Sequence, residues 1–309
     1  MKVIVTGATG LVGRALIRSL LSDGHEVTRL VRGEAQTFRA PGTKAVHWEP
    51  DKGVINAQEL EGHDAAVHLA GEPIASGRWD DEKKRRIRES RVEGTHLLAE
   101  TLAGLNEKPR ALVSASATGF YGDRGEEVLR EESASGEGFL SEVCREWEKA
   151  TLAASQAGIR VVHLRIGFVL SADGGGLPRM LTPFKLGVGG RVGGGQQYVS
   201  WITLDDLVRI IRRALEDEHL RGPVNAVAPN AVTNEEFTKA LGRVLGRPTF
   251  LTMPAFAARL AFGEMADAIL LASTRVEPAR LQEAGYQFSH PEIEEALRHV
   301  LKEQGRGSQ

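Results

Sequence analysis

Cysteine is all but missing from this chain. Cys144 stands alone among 309 residues, which excludes an intrachain disulfide framework and a cysteine-clustered metal site and suits a reducing compartment. No metal is expected. Also missing is any continuous apolar run near the roughly 18 residues of a membrane-spanning helix, and the formal charge of −2 exerts no global pull on nucleic acid. Neither a membrane nor a nucleic acid is an expected partner. The opening MKVIVTGATG enters a strand and a glycine turn at once, without the charged, apolar and small-residue regions of an export signal, so the expected location is cytoplasmic. Tyrosine is scarce too, at three residues, and that scarcity decides a point of chemistry below.

What is present is a regular alternation. Short β-branched runs at Lys2–Thr6, Glu26–Val31, Ala45–Trp48, Asp64–Leu69, Ala111–Ala115 and Arg160–Ile166 read as strands, with amphipathic helical stretches between them. The first helix spans about Leu11 to Ser22 and stops near Gly24. Such alternation predicts an α/β fold, a Rossmann-type doubly wound parallel sheet. The expected division is a dinucleotide-binding domain over 1–170, a smaller C-terminal α/β substrate-side domain over 171–303 with segments returning to the main sheet, and a flexible tail over 304–309. Glycines crowd Gly174–Gly176 and again Gly187 to Gly195, too irregularly for long elements, so an ordered loop over a site is expected there. Later come a helix from Asp205 to Leu215, a strand at Val224–Val227 and a helix whose Thr233 and Glu236 form a capping-box pattern.

Gly7-Ala8-Thr9-Gly10-Leu11-Val12-Gly13 falls between the first strand and the first helix, where backbone amides and a helix N-terminus face a pyrophosphate. These residues are the expected phosphate cradle. Nineteen residues after Gly13, where an NAD-binding protein places a carboxylate for the adenosine ribose, stands Arg32. A guanidinium suits a 2′-phosphate, so the expected cofactor is NADP(H). The fourth strand runs into Leu69-Ala70-Gly71, whose small side chains let backbone approach the cofactor. His68 reads as an interior histidine, and Lys83-Lys84-Arg85-Arg86 as a solvated helix face.

The Gly-x-x-Gly-x-x-Gly spacing resembles the short-chain dehydrogenase/reductase superfamily, especially its extended members. Further resemblances run along nearly the whole chain: Arg91-Val92-Glu93-Gly94-Thr95, Ser114-Ala115-Ser116-Ala117-Thr118-Gly119-Phe120-Tyr121-Gly122, Arg165-Ile166-Gly167-Phe168-Val169-Leu170, Gly195 to Asp206, and Asn230 through Gly285-Tyr286. They point to the atypical, sugar-nucleotide-epimerase-like branch labelled epimerase family, which carries a C-terminal domain of unassigned function. The resemblance implies that Arg91 and Val169 contact the cofactor and that Ser116 holds the place of the substrate-polarising hydroxyl. It also implies a homodimer.

The superfamily's acid–base pair, Tyr-x-x-x-Lys on one helix face, is absent. Four residues after Tyr121, Tyr198 and Tyr286 stand Gly125, Ile202 and His290. In the helix expected to carry the pair, Leu140 and Cys144 fill the tyrosine and lysine columns, a loss typical of the branch. The expected function is therefore an NADP(H)-binding oxidoreductase or epimerase acting on a small molecule of unassigned class, with Ser116 and Tyr121 as catalytic candidates and Trp201, Tyr198, Arg191 and Lys185 as a substrate wall. The alternative is a non-catalytic NADP(H)-sensing or partner-binding module, because hydride transfer to a carbonyl needs a matched proton donor.

Overall fold

The computed structural model describes residues 1–33 and 41–303; the expected tail over 304–309 lies outside the described residues. Its first half contains β1 (Lys2–Val5), α1 (Leu11–Ser22), β2 (Glu26–Val31), β3 (Thr43–Glu49), β4 (Val54–Ile55), β5 (Ala65–His68), α2 (Asp81–Gly104), β6 (Ala111–Ala117), β7 (Val128–Leu129), α3 (Phe139–Lys149), α4 (Leu152–Gln156) and β8 (Arg160–Ile166). The second half contains β9 (Phe168–Leu170), α5 (Leu177–Lys185), β10 (Gly190–Val192), β11 (Tyr198–Val199), β12 (Trp201–Thr203), α6 (Leu204–Glu216) and β13 (Gly222–Ala226). It continues through β14 (Val232–Thr233), α7 (Asn234–Leu245), β15 (Leu251–Met253), α8 (Ala255–Phe262), β16 (Arg275–Val276), α9 (Ala279–Glu283) and α10 (Ile293–Glu303). No helix among the described residues is long and apolar enough to cross a membrane.

The main sheet runs β13-β8-β6-β5-β1-β2-β3-β4. Every pairing is parallel except the last, where β4 lies antiparallel to β3. The strand order reverses between β1 and β5, which makes the carboxyl ends of those two strands the switch point where such folds bind ligands. This is the doubly wound α/β architecture expected from the alternation. Side chains from one face of the strands (Val3, Val5, Val67, Val113, Val162) pack on Leu16, Ile17 and Leu20 of α1 and Ile210, Ile211 and Ala214 of α6. Alternate residues (Ile4, Ala66, Leu112, Val161) pack on Leu98, Ala99 and Leu102 of α2 and Ala154 of α4, the period-two division that a doubly covered sheet requires.

Local chemistry explains several boundaries. Thr203 caps α6 by accepting from the Asp206 amide at 3.2 Å, and Thr233 with Glu236 closes the capping box of α7. The glycine-dense stretch departs from expectation: between its two clusters Leu177–Lys185 forms a helix, with a proline in its first turn and Leu177, Leu181 and Phe184 buried against Phe237, Ala240 and Leu241 of α7 and Leu297 of α10. Burial of one apolar stripe outweighs flanking glycine. Trp201, Leu177 and Phe237 belong to this separate C-terminal core, while α6 and β13 rejoin the main sheet.

The outer margin of β13 has no further strand in this sheet. Side chains close it instead: Arg280 Nη1 donates to the carbonyls of Arg221 and Pro223 at 2.8 and 2.9 Å, and the Asn225 amide donates to Glu131 Oε1 at 3.0 Å.

Candidate functional site

The turn after β1 is tight enough to demand its glycines. Gly7 has φ of +65°, and a Cβ there would lie 2.6 Å from the Leu69 carbonyl group; a Cβ on Gly13 would overlap the Gly7 carbonyl oxygen. Backbone can approach a ligand here because no side chain intervenes. Gly10 begins α1 without any side-chain cap, so first-turn amides of Leu11 and Val12 remain for an anion and the helix dipole favours one. Thr9 and Gly10 are exposed, Leu11 and Val12 half-buried and Gly13 buried. The glycine stretch reaches back to this turn: Cβ atoms on Gly174 and Gly175 would meet Leu11 at 3.5 and 3.4 Å, and Gly175 also faces the Val169 carbonyl. The phosphate turn and the end of β9 thus lie side by side.

Thr6 fixes the end of β5 beside that turn. Its hydroxyl accepts from the amides of Leu69 and Ala70 at 3.1 and 3.2 Å, so its own proton goes to His68 Nδ1, 2.8 Å away. His68 is therefore the Nε2–H tautomer, fully buried, with its pKa lowered to about 4 by burial and then by the charge of Arg91. It orders the strand end. Arg32 is exposed just past β2, and its charge reaches Glu72. Arg91 lies along Gly71, where a Cβ would sit 3.2 Å from its guanidinium carbon. It donates to the carbonyls of Glu72 and Ile87 at 3.1 Å and lies 5.1 Å from the centroid of the Trp147 ring.

The basic run is not wholly solvated. Lys83 is buried and bonds Glu72 at 2.6 Å and Ser76 at 2.7 Å, and Glu72 is held below its usual range, chiefly by that bond. Lys84 pairs with Glu264, Arg85 with Glu89 and Arg86 with Glu82. No four-cation face exists for a polyanion.

At the carboxyl end of β6, α3 presses its Leu140–Cys144 face onto the turn over 118–121: a Cβ on Gly119 would meet Leu140 at 3.3 Å and Cys144 Sγ at 3.9 Å. Burial pushes the Cys144 thiol up to about 12, so it stays neutral. Ser116 donates to Glu148 Oε1 at 2.7 Å, and Arg165 grips both oxygens of the same carboxylate at 2.9 Å. Arg165 also donates to the Tyr121 hydroxyl at 3.0 Å, which in turn donates to Asn225 Oδ1 at 2.7 Å. Tyr121 is 0% exposed and burial raises its pKa. The candidate donor is thus sealed in the core with its hydroxyl committed, so the geometry corrects its reading as a proton donor. Ser116, 2% exposed, has its proton on a carboxylate.

The expected substrate wall is also corrected. Trp201 is fully buried and donates to the Asn230 carbonyl; Arg191 pairs with Glu235, Tyr198 lies under Arg275, and Lys185 is exposed at the end of α5. Instead, Ile74, Trp79, Ile87, Phe139 and Leu140 meet Phe262, Met265 and Ala268 in one apolar cluster. It joins the two halves of the chain beside Gly119.

Residues 3–226 match the NAD dependent epimerase/dehydratase family. The chain belongs to that family. Residues 253–300 also match a domain of unknown function, DUF1731. Epimerase family protein Mb2239 of Mycobacterium bovis is 43% identical over 304 residues, covering 98% of each chain. Human epimerase family protein SDR39U1 is 36% identical over 304 residues, covering 97% of this chain and all of its own. The crystal structure of human SDR39U1 (isoform 2) with NADPH superposes with a TM-score of 0.87 at 35% identity, over 98% of this chain and 99% of that one.

In this epimerase-family chain the glycine turn packs tightly against the ends of β5 and β9, while the two catalytic candidates are locked into structural bonds. Sequence reading missed the bonding roles of Glu148, Arg165 and Glu131, whose partners lie far along the chain. It also missed the lining at Ile74, Phe262 and Met265, which no motif announces.

Proposed function

We propose that the protein is an NADP(H)-dependent oxidoreductase that works without the Tyr-x-x-x-Lys pair. The observation that carries this reading is the cradle itself, where Gly7 and Gly13 leave no room for a Cβ beside an uncapped helix N-terminus. Gly7, Thr9, Gly10, Leu11, Val12 and Gly13 would hold the pyrophosphate, Arg32 the 2′-phosphate, and Leu69, Ala70 and Gly71 the adenosine side. Arg91 and Val169 would face the remainder of the cofactor. The NADPH in the human relative's structure supports the choice of cofactor, which when bound supplies hydride exchange at its nicotinamide. The proposed compartment is the cytoplasm, whose reducing conditions suit the lone thiol of Cys144; cell fractionation tests this.

Calorimetric titration of cofactor-stripped protein with NADPH and NADH tests the reading. NADPH is expected to bind at least about tenfold tighter, with most of that margin lost in Arg32→Ala, as one charge-assisted phosphate contact is worth roughly 1.5–3 kcal/mol. Equal affinities in the wild type refute the assignment of Arg32. A second reading, a redox-sensing or partner-binding module, is favoured by the apolar Leu140 and buried Cys144 in the pair's columns. It predicts tight NADPH binding with no acceptor turned over.

A further inference from the structure

From the lining beside Gly119 we infer that the acceptor is an apolar, conjugated quinone-type ring, a substrate class that can take a hydride without a proton donor from the protein. The inference rests on the oxidoreductase reading and adds the substrate to it.

Two observations carry it. The first concerns protons. Adding hydride to a simple carbonyl creates an alkoxide that must be protonated as it forms, whereas a quinone spreads the charge into an aromatic ring and picks up its proton from water afterwards. The side chains that fill the Tyr-Lys columns, and the two hydroxyls expected from the sequence as catalytic candidates, are unavailable as donors. Leu140 has no proton to give, and Cys144 is buried against the turn over 118–121 with its thiol toward the Ala117 carbonyl at 3.9 Å; Ser116 gives its proton to Glu148; Tyr121 gives its proton to Asn225 inside the core.

The second observation concerns the surface. Ile74, Phe139, Leu140, Phe262 and Ala268 are each half-buried around the more deeply set Trp79 and Met265, and Leu140 sets this cluster against Gly119 beyond the carboxyl end of β6. Lys84 bonds Glu264 at 2.6 Å and lies 5.2 Å from the centroid of the Phe139 ring. An uncharged flat ring packs on Phe139, Phe262 and Met265 and leaves that pair intact. Residues 266–271 form a π-helical turn that brings Ala268 to the lining, an element frequent at functional sites.

The reaction balances as NADPH, a proton and a quinone giving NADP+ and the hydroquinone. The dihydronicotinamide C–H bond breaks with its electron pair, hydrogen bonds to the quinone, and water supplies the proton. The protein's part is to exclude water from the ring's face and to hold it against the apolar lining.

The test uses menadione as the probe with full-length protein. Calorimetry on NADP+-loaded protein reads binding without turnover, and NADPH absorbance reads turnover. Menadione is expected to bind the loaded protein and to oxidise NADPH with a kcat/KM that is flat from about pH 6 to about pH 9. Met265→Asp should weaken menadione binding about tenfold or more with NADPH affinity unchanged, which also shows that the variant is folded. The half-buried Leu140→Thr is a milder second variant expected to act in the same direction. Turnover of simple ketones or aldehydes but not menadione would overturn the acceptor class while leaving the oxidoreductase reading intact. Menadione binding indifferent to both variants would overturn the placement. NADPH bound tightly yet oxidised by neither class of acceptor would remove both readings.

Discussion

His68 shows how a residue in the cofactor wall can matter without touching chemistry. Thr6 spends both lone pairs on the Leu69 and Ala70 amides and gives His68 its proton, so the imidazole must stay neutral for the strand end to hold its shape. Its folded pKa of about 4 lies below the ordinary 6.5. The stabilisation it contributes is complete above the unfolded value and is lost as pH falls from about 6.5 through about 4, a difference of about 3 kcal/mol at 1.36 kcal/mol per unit. In His68→Gln, whose amide oxygen can still accept from Thr6, this acid-side loss should be missing. Urea denaturation of both proteins at several pH values checks it; parallel stability curves would contradict the buried neutral histidine.

Among the elements, α3 is tied to the sheet by charge as well as by packing. Glu148 on α3 and Arg165 on β8 are 13% and 4% exposed in their side chains, and removing one partner of such a pair leaves a buried charge alone. Glu148→Ala is expected to cost roughly 3–5 kcal/mol, and Glu148→Leu with Arg165→Met to recover most of it. Chemical denaturation of the three proteins decides; equal losses in the single and double variants would place the stabilisation elsewhere. Elements made of local pattern were legible in the sequence: α1 at Leu11–Ser22, β2 at Glu26–Val31 and β8 at Arg160–Ile166 have the bounds read from periodicity. The helix α5 was not, because glycines on both sides masked the spacing of Leu177, Leu181 and Phe184. The cradle was legible because its seven residues are consecutive. The ion pair and the lining were not, since Ser116 meets Glu148 across 32 positions and Trp79 meets Met265 from the far half of the chain.

At the scale of the whole molecule, Glu131 couples the C-terminal segment to the sheet. It is buried, accepts from the amides of Asn225 and Arg280 through Oε1, and has a pKa raised by burial against the pull of those amides. Its Oε2 is buried and makes no hydrogen bond among the described residues. Raised above its unfolded value, the group stabilises fully below the ordinary carboxylate range, and that contribution fades as pH rises through the folded pKa. Glu131→Gln keeps the accepting oxygen and cannot ionise, so its melting temperature relative to wild type should climb with pH; a constant offset would show that Glu131 is ionised throughout. The same carboxyl, with Arg280, occupies the amide and carbonyls that β13 would otherwise offer outward, and at the opposite margin the two-residue β4 turns antiparallel with a Glu49–Lys52 ion pair at 2.7 Å beside it. Both described borders of the main sheet are therefore poor templates for a stray chain, and a partly unfolded copy meeting them would find little seam along which to accrete.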